Sequence, residues 1–424
     1  MKNKTKIFID FFSVNIFIEL LLFLILMYPN NYQIIKLPVI GILLLYSIMV
    51  IGKKDGKITQ KIYLWGAIYW VSNLVFLSIG SYKNINVLIE LGPLKMIWPL
   101  LYLFIIIITM SAKKVKIRFD HVILTAGLLI PSLILLTYLF EGLPSFFNVL
   151  FPYTRHVYAN FMDYYSSSIT SLFFIGSYSI ARFLIFDGEK SKKFGVSLIL
   201  IVIVALVIGR RALLITMFIT PFLFLLVQVY TKQIKIELSK IVNKKNIILC
   251  TILLFILLLI IYLVPLITGA NLRIFEIFQG NEVFQNNERL IQFRSLISGW
   301  LENPLMGAGF GTNVEIVRST DYLGLYELSY IAMLFQTGIV GTTIYLSLYS
   351  WLIMRLIKIY VLTKDPSVLS FCMGTIAMFI ANFSNPYIDS FDGLFFIFFS
   401  LAIINKFEIE KENNNEYCNI NGNI

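Results

Sequence analysis

The stretch FGVSLILIVIVALVIGRRALLITMFITPFLFLLVQVY (194–230) consists of two apolar runs joined by a turn that holds its only charged residues, Arg210 and Arg211. Each run approaches the roughly 20 apolar residues that an α-helix needs to cross a bilayer. Such runs recur along the whole chain. They predict an all-α polytopic membrane protein.

The composition supports this fold class and excludes others. Of the 424 residues, 58% are apolar and only 14% are charged, whereas about 25% are charged in a typical soluble domain. The net charge of +11 comes mostly from lysines in short loops. Anionic lipid headgroups attract such loops, so we expect membrane lipids, and no nucleic acid, as partners.

The linkers between the apolar segments alternate between lysine-rich and lysine-poor loops. Because positively charged loops stay in the cytoplasm, this alternation predicts cytoplasmic N- and C-termini and about twelve transmembrane helices in a single domain, 1–405. The large outer loop 269–326 would separate helices 9 and 10, and the tail 406–424 is predicted to be polar, cytoplasmic and disordered. The predicted spans are 7–27, 34–52, 62–80, 96–112, 122–140, 166–186, 194–209, 211–230, 247–268, 327–350, 367–384 and 391–405.

Arginine and lysine are distributed differently across this topology. Of 25 lysines, 22 fall in predicted cytoplasmic loops or termini, whereas seven of ten arginines fall on the outer side. A guanidinium is a planar fork of donors that matches phosphate and carboxylate. The outer arginines therefore favour a phosphate-bearing or acidic ligand on that face. They are Arg155, Arg210, Arg211, Arg273, Arg289, Arg294 and Arg318.

The Gly209-Arg210-Arg211 turn has three interpretations. Charge near a membrane is costly and usually functional, which favours phosphate recognition. The arginines could instead contact outer lipid headgroups, or the turn could lie inside if one span is miscounted. A miscount would turn the lysine-rich loop 231–245 outward, which the positive-inside rule disfavours.

The large outer loop contains a helical pattern of its own. In NNERLIQFRSLISGWLENP (286–304), apolar residues recur at helical spacing on one face, which predicts an amphipathic helix. They are Leu290, Phe293, Ile297, Trp300 and Leu301. The following NPLMGAGFGTN (303–313) has three glycines that allow a tight re-entrant or surface turn. By itself this turn is more often structural than catalytic.

Glu327 opens the next predicted span, in YELSYIAMLFQTGIVG (326–341). One interpretation is an acid at the first turn of a helix, where the helix dipole favours negative charge. The other is a general base close to the membrane surface.

These three segments together resemble a known family. The run from Arg289 through NPLMGAGFGTN to YELSYIAMLFQTGIVG is similar to the hallmark region of the bacterial O-antigen ligase–polymerase superfamily, in which an arginine precedes an NPLxGxG turn and a helix with a glycine pair. The resemblance is specific over roughly 285–341. The GRR turn and NFSNPYIDS (382–390) resemble the family more loosely.

One departure separates two branches of that family. The ligases carry a histidine–asparagine pair about eleven residues before the first glycine of the final pair, and here that position is Glu327, counted back from Gly338. The pattern thus looks like a Wzy-type repeat-unit polymerase for O-antigen, capsule or exopolysaccharide. The ligase, which passes glycan to another acceptor, stays an alternative, as does a transporter of lipid-linked sugars.

The resemblance implies a membrane glycosyltransferase in the cytoplasmic membrane of a bacterium, with its active face outward. Its substrate would be a polyprenyl-diphosphate-linked oligosaccharide, a chain-length regulator and a flippase could be further partners, and no metal or cofactor is implied. Fixed cations would meet the charge of the diphosphate leaving group. The implied catalytic residues are Glu327, Arg289, Arg210 and Arg211, and the implied substrate-binding residues are Arg294, Arg318, Asn303, Gly307, Gly309 and His156.

Overall fold

The computed structural model describes most of the chain. It covers residues 2–29, 31–52, 56–112, 115, 117–140, 144–157, 162–185, 188–231, 288–314, 324, 326–383, 386–388 and 390–421, with side chains except at 2–13, 155–157, 162–163, 211, 288 and 414–421. The predicted span 247–268 and the predicted site residue Arg318 lie outside these ranges.

The described chain is helical apart from one short hairpin. The helices are α1 (Lys2–Met27), α2 (Gln33–Gly52), α3 (Gln60–Lys83), α4 (Asn86–Ser111, with π-helical turns at Pro93–Ile97 and Leu103–Ile108), α5 (Phe119–Leu139), α6 (Ser145–Leu150), α7 (Ile169–Ile185), α8 (Glu189–Ile208), α9 (Arg211–Tyr230), α10 (Glu288–Glu302), α11 (Ser329–Thr363), α12 (Pro366–Ala381) and α13 (Phe391–Asn421). The hairpin pairs β1 (Thr154–Val157) antiparallel with β2 (Met162–Tyr165), an element that the sequence pattern did not predict.

Seven described helices are long and apolar enough to cross a membrane: α2, α3, α4, α5, α8, α9 and α11. Three apolar stretches of 10–17 residues accompany them, at Val14–Met27, Ile169–Ile185 and Pro366–Ala381. The all-α membrane class is therefore confirmed. The count of twelve spans and the cytoplasmic position of both termini stay predictions.

Helix α7 lies at the centre of the bundle and is buried along nearly its whole length. Its serines and glycine let neighbouring helices approach closely. Ser177 shares a hydrogen bond with Thr220 of α9 at 2.8 Å, and Phe174 packs directly against Gly374 of α12. Near its C-terminal end, the buried Arg182 pairs with Asp120 of α5 at 2.6 Å.

The tail after residue 405 was predicted to be disordered. Instead, helix α13 continues through it to Asn421. Glu408 holds the first turns of this extension against the other helices. Its carboxylate accepts a hydrogen bond from Lys61 of α3 at 2.9 Å and forms an ion pair with Arg355 of α11. Lys406 donates to the carbonyl of Val115. These contacts bind the extension to the bundle.

Helix α11 is broken at Gly338, whose φ of 62° and ψ of −171° are not helical. At 1.5 Å per residue its 35 residues would span about 50 Å, more than the roughly 30 Å of a hydrocarbon core. The segment before Gly338 packs with α10 and with the turn that follows α10. This segment, the α8–α9 turn and the α12–α13 loop come together at one end of the bundle. We call this end the Arg210 end.

Candidate functional site

The turn that follows α10 enters the bundle and pairs with the broken part of α11. The backbone N–H groups of Ala308 and Gly309 donate to the carbonyls of Phe335 and Gln336, at 2.9 and 2.8 Å. In return, the N–H of Ile339 donates to the carbonyl of Pro304 at 2.9 Å. The break in the helix thus exposes backbone groups that the turn satisfies, which explains how a polar loop is accommodated there.

Gly307 and Gly309 occupy backbone conformations with φ of 70° and 93°, which favour glycine. A Cβ at Gly309 would collide with the backbone of Gly80 in α3, and a Cβ at Gly307 would come within 2.5 Å of the N atom of Gly338. Their amides donate to protein carbonyls at 2.8 and 2.9 Å. The geometry therefore gives these two glycines a packing role, and their predicted substrate contact stays a prediction.

Helix α10 is fastened to the start of α11 by a buried glutamine. Oε1 of Gln292 accepts hydrogen bonds from the N–H groups of Glu327 and Leu328, at 3.1 and 3.3 Å. Beneath it, Leu296 packs into a small cluster with Tyr326 and Phe335. Because these contacts fix α10 against α11, they also fix the position of Arg289 in the first turn of α10.

Arg289 and Glu327, both predicted catalytic residues, form an ion pair. Nε of Arg289 lies 2.7 Å from Oε2 of Glu327. The glutamate side chain is only 15% exposed, whereas that of the arginine is 52% exposed. Glu327 lies two residues before α11 begins at Ser329, so it is not in the first helical turn as expected. Instead of lying at the end of a helix dipole, Glu327 is held by Gln292, which accepts from its backbone N–H, and by Arg289, which pairs with its carboxylate.

Arg210 lies in the tight α8–α9 turn that the sequence predicted. Gly209 ends α8 in the left-handed conformation, with φ of 69°, and Arg210 precedes the first residue of α9. The Arg210 guanidinium carbon lies 5.9 Å from the centroid of the Tyr165 ring, within cation–π range. The side chain of Arg211 is outside the described part of the structure.

Arg210 lines a cavity of about 620 Å³ that opens at this end of the bundle, a volume typical of ligand sites. Among the described residues, two cations, one carboxylate and several hydroxyl and amide groups face it. These polar side chains are Arg210, Lys95, Glu90, Tyr165, Tyr326, Tyr387, Gln33, Gln336, Ser166, Thr170, Ser329 and Ser390. Such a lining suits a ligand that carries both negative charge and hydroxyl groups.

Tyr387, in the α12–α13 loop, is under the electrostatic influence of both Arg210 and Arg289. Its pKa is raised to about 12, chiefly by burial and in part by the neighbouring Tyr165, while Arg210 and Arg289 act in the opposite direction. Both guanidinium groups are therefore within electrostatic reach of the same phenol. At neutral pH the hydroxyl stays protonated and is available as a donor.

Most residues that line this cavity were missed in the sequence, among them Tyr387 and Lys95. Tyr387 lies in NFSNPYIDS (382–390), which resembled the family only loosely. Lys95 is one of three lysines outside the predicted cytoplasmic regions, together with Lys36 and Lys83. This exception to the lysine distribution was the signal that could have identified Lys95. In the structure, its ammonium lies 4.4 Å from the centroid of the Phe310 ring.

A buried ion pair joins α2 and α13 next to the cavity. Nζ of Lys36 in α2 lies 3.0 Å from both carboxylate oxygens of Asp392 in α13 and donates to the carbonyl of Tyr28 at 2.6 Å. The two side chains are 0% and 3% exposed. Phe391, which lines the cavity, lies directly beside the pair. A fully satisfied ion pair at this depth fixes α2 against α13.

The other predicted binding residues lie elsewhere. Arg294 and Asn303 line a separate open cleft of about 800 Å³ along α10, so the structure does not bring them together with Arg210. His156 lies in β1 opposite Asp163 of β2, and its side chain is outside the described part, as is all of Arg318.

Comparisons with known proteins do not assign this site to a family. No protein-family model matches the chain, and no curated protein matches it either.

Proposed function

We propose that the protein is a membrane glycosyltransferase that polymerises polyprenyl-diphosphate-linked oligosaccharide units on the outer face of the cytoplasmic membrane of a bacterium. The observation that carries the proposal is that Arg210 and Arg289 both act electrostatically on Tyr387, which lines the cavity together with Arg210, and that Arg289 is paired to Glu327. Cations, a neutral donor and a carboxylate are the groups that such a transfer needs.

Arg210 and Arg289 would bind the diphosphate of the donor lipid. Guanidinium groups stay charged at any working pH and hold phosphate oxygens through parallel hydrogen bonds. Nε of Arg289 already donates to Glu327, and a guanidinium carries two further nitrogens that can face a second anion. Tyr387 would add a neutral hydrogen-bond donor between the two arginines.

Glu327 would accept the proton of the acceptor hydroxyl. In the transfer, that hydroxyl oxygen forms a bond to the anomeric carbon of the donor glycan while the bond from this carbon to the diphosphate oxygen breaks. The diphosphate leaves with the bonding electron pair, and the hydroxyl proton passes to the Glu327 carboxylate. Charge that develops on the leaving oxygen is met by preorganised arginines.

The test is elongation by purified protein in vesicles that carry lipid-linked oligosaccharide on one face only. A ladder of longer glycans on the diphosphate lipid supports the proposal. Transfer of glycan to a different acceptor would indicate a ligase. Movement of unchanged lipid-linked oligosaccharide to the other face, without elongation, would indicate a transporter and contradict the proposal.

A further inference from the structure

Most of the apolar face predicted for α10 is not the face that packs on the protein, although Trp300 at its edge packs against the cluster around Leu296. Gln292 and Leu296 make the contacts with α11 and are 4% and 0% exposed. By contrast, Leu290, Phe293 and Leu301 are 42%, 41% and 62% exposed, with Ile297 half-buried between them. These four residues follow one another at intervals of three and four, so they form one stripe along the helix that the described part of the chain leaves largely exposed.

This stripe continues onto a helix that crosses the membrane. The N–H of Val340 donates to the carbonyl of Leu305 at 3.1 Å, which places the turn after α10 beside α11. Leu305 and Val340 are both large, apolar and exposed, as are their neighbours Met306 and Ile339. Since α11 is long and apolar enough to span a membrane, we expect its exposed apolar side chains to contact lipid, and Leu305 follows Leu301, the last residue of the stripe, by four positions.

A flank of α10 beside the stripe has the character of a surface in water. Ser295, Ser298 and Glu302 face the open cleft of about 800 Å³, and Arg294, which also lines it, lies at the border with the stripe. A helix with one apolar and one polar side, continuous with a lipid-facing surface, is suited to lie in the plane of a membrane interface with its apolar side among the lipids. This arrangement separates lipid and water contacts along a single helix.

We infer that α10 docks on the lipid bilayer at the Arg210 end of the bundle, with Leu290, Phe293, Ile297 and Leu301 inserted among the acyl chains. The occupant of the stripe is the bilayer in which the protein itself resides. Docking holds Arg289, adjacent to Leu290, at the level of the lipid headgroups. The inference does not depend on the proposed enzymatic activity.

Nitroxide spin labels on α10 test the docking. Single cysteines replace Phe293, Ile297 and Leu301 on the stripe, and Ser295 and Ser298 on the polar side as matched controls, in a parent carrying Cys250→Ala and Cys418→Ser. Cys372 is fully buried and stays in place. All variants are reconstituted in phosphatidylcholine–phosphatidylglycerol nanodiscs.

The readout is collision of each label with oxygen, which partitions into lipid, and with a water-soluble nickel chelate. Labels on the stripe should favour oxygen several-fold over the chelate, and labels at 295 and 298 should show the reverse. Stripe labels that collide mainly with the chelate would overturn the inference. Stripe labels shielded from both reagents would also overturn it, because they would show a protein contact in place of lipid.

Discussion

The guanidinium of Arg289 lies 2.7 Å from the carboxylate of Glu327, although the two residues are 38 positions apart in the chain. The pair joins the first turn of α10 to the residues just before α11, and both side chains retain access to solvent or ligand. Because Arg289 also acts electrostatically on Tyr387, which lines the polar cavity, the pair is the central feature of the proposed site.

Replacing Glu327 by glutamine separates catalysis from stability. The amide oxygen of the introduced glutamine can still accept a hydrogen bond from Arg289, and partly exposed ion pairs contribute only about 0–1 kcal/mol, so thermal unfolding should hardly change. Turnover in the elongation assay should fall by about 10²–10⁴-fold, because the variant lacks the proton acceptor. A fully active glutamine variant would remove Glu327 from the mechanism.

The pH dependence of Tyr387 follows from its pKa of about 12. Since burial keeps the phenol protonated well above neutral pH, Tyr387→Phe should lower elongation by the same factor at every pH between about 7 and 10. A phenol with its ordinary pKa, near 10, would lose its donor at the upper end of this range, and the two activities would converge there. The ratio of wild-type to variant rates across the range distinguishes the two cases.

Gly80→Ala tests the packing of the re-entrant turn against α3. A Cβ at this position would collide with the backbone of Phe310, and overpacking of this kind typically costs about 1–3 kcal/mol. Gly41→Ala in α2 is the matched control, since nothing lies within 4 Å of the added methyl. It should be neutral or stabilising by up to about 1 kcal/mol. Equal unfolding temperatures for the two variants would contradict this placement of the turn.

The Lys36–Asp392 pair predicts a non-additive double mutant. Removing one partner leaves a buried charge without compensation, which costs about 3–5 kcal/mol, so Lys36→Met and Asp392→Leu should each destabilise the protein strongly. The double variant should recover much of that loss, because both charges are gone. Additive losses in thermal or denaturant unfolding would show that the two side chains do not interact.

Local patterns in the sequence predicted part of this structure. The α8–α9 turn, the α10 helix and the re-entrant turn were all visible, because apolar runs, helical periodicity and glycine spacing depend on neighbouring residues. The α10 stripe was also visible. The sequence did not reveal which side of α10 packs on the protein, because Gln292 is buried against two backbone amides that lie 35 and 36 residues away.

The site itself depended on contacts between distant segments. Lys95 and Tyr387 reach the cavity only because α4 and the α12–α13 loop meet there. For the same reason, the packing role of Gly309 required the approach of Gly80. The helical extension of α13 likewise rests on Lys61 and Arg355, which its own polar sequence does not reveal.

Under the proposed function, Arg210 and Arg289 hold a lipid diphosphate during glycan transfer. The decisive measurement is elongation of lipid-linked oligosaccharide by reconstituted Arg210→Ala and Arg289→Ala. Arg118→Ala is the matched control, because Arg118 pairs with Glu19 at 2.9 Å in a comparably exposed ion pair. We expect turnover to fall by about 10²–10³-fold in each of the first two variants and the control to give wild-type ladders. Full-length ladders from Arg210→Ala and Arg289→Ala alike would contradict it.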